Sequence, residues 1–570
     1  MLFLSLFYLF THDIYYTSIL VSLLLTIAAA FLLWTYIAET EVGAVFAVVA
    51  MLASKPFIDY ATSGLENPLT YLLLAVFFLL YFHRKTEVKS TFWLAFAGSL
   101  VVLNRMDLAL IVSPAVLYYL WENRSVRSML GVLAGTWPFV AWEAFSVFYY
   151  GFPFPNTAYA KLSTGIARSD LVTQGWYYLQ NGVEQSPFTI FVMAASIAYA
   201  VYRRSFKLIA PAIGILLYAG YIVRVGGDFM EGRFLAAPFL VGVILLSRHH
   251  FDLTYRESTM IAVSALSLGI FWPHSPIRAN TNYGKGPELY YDLKGISDER
   301  AGYYQYTSPL LQDHTRPIPN HPWVLEGLKA RADSTKLVWR GGIGFFGYFA
   351  GPHVHIVDKH ALTEPLLARL PTVTPRKWRI GHFARIAPEG YRQTLESGKN
   401  EIVDSSLARY YDKLMLVTRG PLFSLSRLRA IWRFNTGQFN HLLREYLNQP
   451  QRVALRHFDT PRPEGTPYNA HGCILLSKSG LKVLVGEVTY APRVEISADC
   501  NDEYILHFLR GTDDHGSVVI KPRRIPSGGL RVEVVDVPQE AVRLGYYYIL
   551  IIPKDGDGTY SVGHVRLLND

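Results

Sequence analysis

Ten apolar runs separated by short polar breaks fill the chain up to Trp272, and no other feature restricts its fold as much. They cover residues 14–37, 42–53, 68–82, 91–103, 108–121, 129–149, 188–202, 208–223, 234–247 and 260–272. Crossing the hydrocarbon core of a bilayer takes roughly 20 apolar helical residues. Backbone inside lipid must also satisfy its own hydrogen bonds. The pattern predicts a multi-spanning α-helical membrane domain over residues 1–272, in which the shorter runs borrow flanking residues or are partly re-entrant. Composition agrees, since 51% of the 570 residues are hydrophobic and only 17% are charged. The net charge of +9 fits anionic lipid surfaces and phosphate ligands rather than nucleic acid. Residues 1–10, MLFLSLFYLF, lack the basic leader and cleavage site of a secretory signal and are too short to span. They read as the tail of a membrane helix whose beginning is missing.

Alternating the sides of successive runs sorts the basic residues into two sets. Ten lie in the loops holding Arg84, Lys85, Lys89, Arg124, Arg127, Arg203, Arg204, Lys207, Arg248 and Arg256, against six at Lys55, Arg105, Lys161, Arg168, Arg224 and Arg233. The excess places the first set in the cytoplasm. The other face then receives four polar stretches: Asp59 with Gly64–Pro68 (GLENP), Asn104–Asp107 (NRMD), Tyr149–Lys161 (YYGFPFPNTAYAK) and Arg224–Arg233 (RVGGDFMEGR). It also receives everything after Trp272. The Tyr149–Lys161 stretch, with two prolines and a glycine in five residues, reads as a rigid loop anchored by aromatic rings at a membrane face. Each stretch has a plain structural reading. Arg105 and Asp107 can close a turn, Glu66-Asn67-Pro68 can cap a helix, and Arg224 and Arg233 can snorkel to lipid phosphates. Ionisable residues at membrane helix ends nevertheless point to function. Basic groups beside carboxylates suit a phosphate-bearing lipid donor and a hydroxyl acceptor, whose proton a carboxylate would take.

In this order between apolar helices, GLENP, NRMD, YYGFPFPNTAYAKL and GGDFMEGRF resemble the arabinofuranosyltransferase B family of mycobacterial cell-wall synthesis and related bacterial members of the GT-C superfamily. The likeness continues in Gly342–Pro371 and Arg379–Gly390, so it covers most of residues 50–440. The resemblance implies an integral enzyme of the inner (plasma) membrane with its C-terminal domains on the external, periplasmic side. It would move a sugar, with arabinofuranose the family's example, from a polyprenyl-phosphate donor to an envelope glycan or glycolipid acceptor, inverting the anomeric carbon. Carried over, Arg105, Lys161, Arg224 and Arg233 would bind the donor phosphate, and Asn67, Asn156, Tyr159 and Glu231 the sugar or acceptor. Glu66, Asp107 and Asp228 would orient sugar hydroxyls and are the candidates for the base. Family members carry an acidic pair in an external loop after their first membrane helix, and this chain starts downstream of it. An N-terminally truncated version is expected, with the family's base outside the chain.

After Trp272 the sequence is mixed and charged. Residues 273–465 are expected to form an external α/β domain. Its Gly342–Gly347 has a GxGxxG spacing after a strand, but Gly351-Pro352 cuts the following helix short and Asp358 comes too early for a dinucleotide fingerprint. Close packing explains those glycines better. Leu407–Leu447 has a helical rhythm with a basic face (Arg419, Arg427, Arg429, Arg433), read as solvated or as touching anionic headgroups. From His471, period-2 alternation predicts eight short strands, and residues 466–570 are expected to be a β-sandwich, either carbohydrate-binding or a passive spacer. Cys473 and Cys500 leave a disulfide open. No His or Cys spacing indicates a metal, although external carboxylates would suit a divalent cation, and no other cofactor is indicated. Two rival readings remain: a lipid-linked sugar transporter, against which the lack of internal repeats counts, and a non-catalytic glycan-binding scaffold.

Overall fold

The computed structural model describes residues 2–569 except 84–87, 163, 167, 250–253, 273–274, 279–281, 284–293, 373–378, 386, 469, 471, 478, 512 and 527. Arg84 and Lys85 of the basic loop, the expected boundary at Pro273-His274, and His471 lie outside the described residues.

Every expected apolar run is helical. The helices are Ile14–Leu32 continuing through Leu33–Ile37, Glu41–Ala53, Asn67–His83, Val88–Asn104, Ala109–Glu122, Val126–Gly135 with Trp137–Tyr149, Pro187–Tyr202, Phe206–Val225, Ala236–Leu246 and Tyr255–Phe271. Fewer reach full span length than the ten runs suggest. Among the described residues, Ile14–Ile37 (24 residues) and Phe206–Val225 (20 residues) are long and apolar enough to cross alone. Three bent pairs raise the number to five if each makes one crossing: Glu41–Ala53 with Lys55–Ala61 at 77°, Val126–Gly135 with Trp137–Tyr149 at 46°, and Arg168–Gln185 with Pro187–Tyr202 at 107°. In each pair the second helix has proline in its first two positions, at Pro56, Pro138 and Pro187. Proline is tolerated there but cannot donate to a preceding turn, so the two helices stay distinct. Ala236–Leu246 is apolar on all sides and lies at the centre of the bundle. Leu20, Leu24, Ile27, Leu130, Leu133, Val140 and Leu216 face outward as a broad apolar surface, of the kind that lipid covers.

In the second half, strands β1 (Leu337–Arg340) and β2 (His355–Asp358) pair in parallel around the seven-residue helix Gly344–Ala350. A Cβ on Gly342 would lie 2.4 Å from the Trp323 ring, and the Asp358 carboxylate is held by the backbone N–H groups of His360 and Leu362. Both observations favour packing over a cofactor loop. Helices Ser405–Arg419, Leu425–Asn435 and Asn440–Leu447 share one hydrophobic core with Val357, Leu366 and Leu367. Phe152 and Ala160, from the long loop of the first half, belong to that same core.

The C-terminal part contains two sheets. Strands β3 (Gln451–Ala454), β5 (Leu481–Thr489), β7 (Glu503–Arg510), β8 (Asp513–Ile520) and β10 (Tyr546–Asp555) form one, in the order β3-β5-β10-β7-β8. Strands β4 (Ile474–Leu475), β6 (Arg493–Asp499), β9 (Leu530–Asp536) and β11 (Ser561–Leu568) form the other, in the order β4-β11-β6-β9. Alternation drives the packing: Tyr504, Leu506 and Phe508 of β7 point inward against Val494, Ile496 and Val565. All eight expected strands are present. A ninth, β3, pairs in parallel with β5, so the sheet starts ahead of the expected boundary at 466. Cys473 and Cys500 are both buried and are not joined in a disulfide.

Candidate functional site

The segment after helix Phe206–Val225 organises the site. Gly226 ends that helix at φ +86°, and Gly227 follows at +74° with its missing Cβ 2.5 Å from Tyr178. Only glycine takes this path without strain, and it turns Asp228 inward. The next residues are pinned to the segment that follows the helical first half. Ser297 donates its N–H to the Phe229 carbonyl (2.7 Å), and Glu231 donates its N–H to the Ser297 carbonyl (2.9 Å). Asp228 and Glu231 thereby reach two separate clusters.

In the first cluster, Arg233 donates to Glu66 (2.7 Å) and to Asp228 (3.1 Å). Arg105 donates to Asp107 (2.5 Å) and to the Tyr218 hydroxyl (2.7 Å), lies 3.6 Å from Glu66, and sits over the Phe234 ring at 5.0 Å. Tyr218 donates to Asp107 at 2.6 Å. Two guanidinium groups thus bracket Glu66. Of the three carboxylates its side chain is the most reachable, at 20% exposure against 13% for Asp107 and 1% for Asp228. Burial pushes the Glu66 carboxyl up, but Arg233 and Arg105 outweigh it and hold the group below the usual carboxylate range. It is therefore ionised at neutral pH and a weak base in this state. Arg105 Nη1 and Arg233 Nε are buried donors without a hydrogen-bond acceptor among the described residues, which an anionic ligand would satisfy.

In the second cluster, the Lys55 ammonium lies among three carboxylates: Asp59 (2.7 Å), Glu231 (2.8 Å) and Asp298 (2.9 Å). The other oxygen of Asp298 caps helix Glu299–Thr307 by accepting from Ala301 N–H. Burial raises the Asp298 carboxyl, but Lys55 and that N–H bring it below its ordinary value. Among the described residues no group of carboxylates is arranged to hold a metal ion, and here the Lys55 ammonium occupies the space between the three.

The third cluster joins the long Tyr149–Lys161 stretch to the C-terminal half. Lys161 packs on Gly381, whose added Cβ would meet its Cε at 2.6 Å. Beside it, the His382 ring lies 4.1 Å from Phe229 and 5.3 Å from His360, and Arg379 sits over Phe229 at 4.5 Å while bonding Glu299 at 3.2 Å. Burial, then Arg379, His360 and Lys161, push the His382 imidazole down to about 2, so it is neutral. The region is basic, with Glu299 the carboxylate that meets Arg379. Burial raises the Glu299 carboxyl above its usual value despite that partner.

No family model matches the chain. A protein of Mycobacterium tuberculosis named terminal β-(1→2)-arabinofuranosyltransferase is 28% identical to it over 421 residues, covering 59% of this chain and 65% of that protein. One of the same name from Corynebacterium glutamicum is 27% identical over 423 residues, covering 59% of each. The chain spans less than two thirds of the length of these curated relatives.

The residues singled out in the sequence fall into different places. Glu66, Arg105, Asp107, Asp228 and Arg233 meet in one cluster. Asn67 is wholly buried beside it, its amide directed at the Arg233 carbonyl (3.4 Å). Glu231 belongs to the Lys55 cluster, and Lys161 to the basic one. Arg224 is exposed and outside all three. Asn156 donates to the carbonyls of Ala361 and Leu362 (3.1 and 3.2 Å), and Tyr159 lies under Arg369 (4.6 Å). Both side chains therefore serve the contact between the two halves. The loop around them is no open surface: Arg427 donates to the carbonyls of Phe148 and Tyr149 (2.8 and 2.7 Å), and Arg385 to that of Ala160 (2.7 Å). Lys55, Asp298, Tyr218, Arg379 and His382 were not foreseen as site residues, and Asp59 only as part of a polar stretch. Lys55, a lysine between apolar runs with an aspartate at i+4, carried a readable signal.

Proposed function

We propose that this chain is the membrane and external portion of a glycosyltransferase that moves arabinofuranose from a polyprenyl-phosphate donor onto an envelope glycan or glycolipid at the external face. The similarity to two terminal β-(1→2)-arabinofuranosyltransferases carries this reading. The Arg105–Glu66–Arg233 arrangement supports it, because paired guanidinium groups stabilise charge on a departing phosphate. Arg233, Arg105 and Lys161 hold the donor phosphate. Glu66 orients the acceptor or sugar hydroxyls, and a phosphate that draws Arg105 and Arg233 toward itself frees Glu66 to act as a stronger base. The membrane half (1–272) carries donor and reaction, the external domain (273–465) closes over Phe229 and Lys161, and the C-terminal sandwich contacts glycan. If the product linkage is β-(1→2), inversion requires an α-configured donor, and a β-configured donor would mean net retention.

The test is transfer of labelled arabinose from polyprenyl-phosphate arabinofuranose to an arabinan oligosaccharide by the full protein, as encoded, in proteoliposomes. Product formation with release of polyprenyl phosphate is expected. Donor binding with flux across the vesicle and no product would instead support the transporter reading.

A further inference from the structure

Helix Leu425–Asn435 carries two distinct faces. Arg427, Ala430 and Ile431 are buried against the external domain. Leu425, Leu428 and Trp432 form an outward stripe at i, i+3 and i+7, with exposures of 70%, 38% and 67%. Phe423, just before the helix, is 83% exposed, and Arg429 and Arg433 stand exposed beside the stripe. Leaving so much aromatic and aliphatic surface in water is unfavourable.

The neighbouring surface indicates what covers it. The Phe423 ring packs at 5.5 Å on Phe148, in the last turn of helix Trp137–Tyr149. That helix shows Trp137, Val140, Phe145 and Tyr149 to the outside, followed by Tyr150. The apolar stripe of the external helix thus continues the apolar surface of a bent membrane pair. The joint is fixed, because the buried Arg427 guanidinium ties the helix to the carbonyls of Val417, Phe148 and Tyr149.

We infer that Phe423 and helix Leu425–Asn435 lie in the external leaflet of the membrane, with Phe423, Leu425 and Trp432 at the boundary of headgroups and acyl chains and Arg429 and Arg433 on lipid phosphates. Interfacial helices combine such an apolar stripe with flanking basic residues, and aromatic side chains concentrate at that depth. The helix holds the external domain down on the bilayer beside the long loop. This inference rests on the membrane reading above.

Cys473 and Cys500 are buried, so an added surface cysteine is the one a dye reaches. Phe423→Cys and Leu425→Cys, each bimane-labelled, are reconstituted in phosphatidylethanolamine–phosphatidylglycerol vesicles containing lipids spin-labelled either near the headgroup or deep in the acyl chain. Leu24→Cys, on the outward side of the longest apolar helix, is the comparison. Loss of emission at 423 and 425, with protection from aqueous iodide, is expected. Quenching at 24 but not at 423 or 425 overturns the inference and indicates a protein partner on this face. Absence of quenching at all three positions overturns the membrane reading with it.

Discussion

Replacing Lys55 by methionine removes the one ammonium shared by Asp59, Glu231 and Asp298 and keeps a similar volume. At an effective dielectric of about 20, each contact at 2.7–2.9 Å is worth roughly 6 kcal/mol of attraction. Desolvation and repulsion among the carboxylates offset most of that sum. What the variant reveals is the cost of three buried carboxylates that lose their shared ammonium, on the order of 3–5 kcal/mol. The side chains involved are only 6–12% exposed, so water compensates little. In thermal unfolding of the purified protein followed by tryptophan emission, this corresponds to a drop in Tm of about 5–10 °C. Adding Asp298→Asn and Glu231→Gln to Lys55→Met should recover part of the loss, because two of the three carboxylate charges are then gone. An unchanged Tm in Lys55→Met, or a further fall in the triple variant, would refute the view that this ion cluster clamps the two halves together.

Three other outcomes follow from the geometry. Gly151→Ala should destabilise the seam, since Gly151 has φ +86° and a Cβ would lie 2.1 Å from Val417; a cost of about 2–4 kcal/mol is expected from strain and overpacking, read as a lower Tm. His382 stays neutral in the folded protein because its imidazole is pushed down to about 2. The unfolded chain takes up that proton below about pH 6.5, so stability should fall by up to about 1.4 kcal/mol per pH unit as pH drops below that value; the loss should be smaller in His382→Gln, and an equal loss would count against a neutral buried imidazole. Arg233→Lys should lower kcat more than stability, because a lysine keeps the charge but cannot bond Glu66 and Asp228 in the same fork, with Tm and initial rates as the paired readouts.

Much of the architecture is written locally in the chain. The helices coincide with the apolar runs, and the strands from Ile474 onward with the period-2 pattern, because both periodicities arise from burying one side of an element. Strand β3 was hidden, since four residues beyond a helix carry too little alternation to be read. The bent pairs reduced the number of full-length crossings, although Pro56, Pro138 and Pro187 mark where they break. Glu66, Arg105, Asp107, Asp228 and Arg233 stood out because charges between apolar helices are conspicuous. Their partition into clusters was not legible, because it depends on contacts such as Lys55 to Asp298, which are 243 positions apart. The stretch Tyr149–Lys161 was legible as rigid, but not as a seam and not as the partly helical segment it is, since Asn156–Leu162, with Asn156, Tyr159 and Lys161, forms a helix. Its carbonyl partners, Arg427 and Arg385, lie in the C-terminal half; the helical rhythm puts Arg427 on a basic face, whereas it is buried and bonded to the carbonyls of Val417, Phe148 and Tyr149.

Lys161→Ala in the donor-transfer assay asks whether the Lys161 ammonium holds the donor phosphate. Lys161 faces Gly381 and the His382 region, so its loss should leave the fold and the Tm unchanged. The unaltered protein should convert polyprenyl-phosphate arabinofuranose to glycosylated acceptor, and Lys161→Ala should lose most of that turnover with weakened donor binding. Full turnover and donor affinity in Lys161→Ala, at equal Tm, would contradict the placement of the donor phosphate between the membrane half and the external domain.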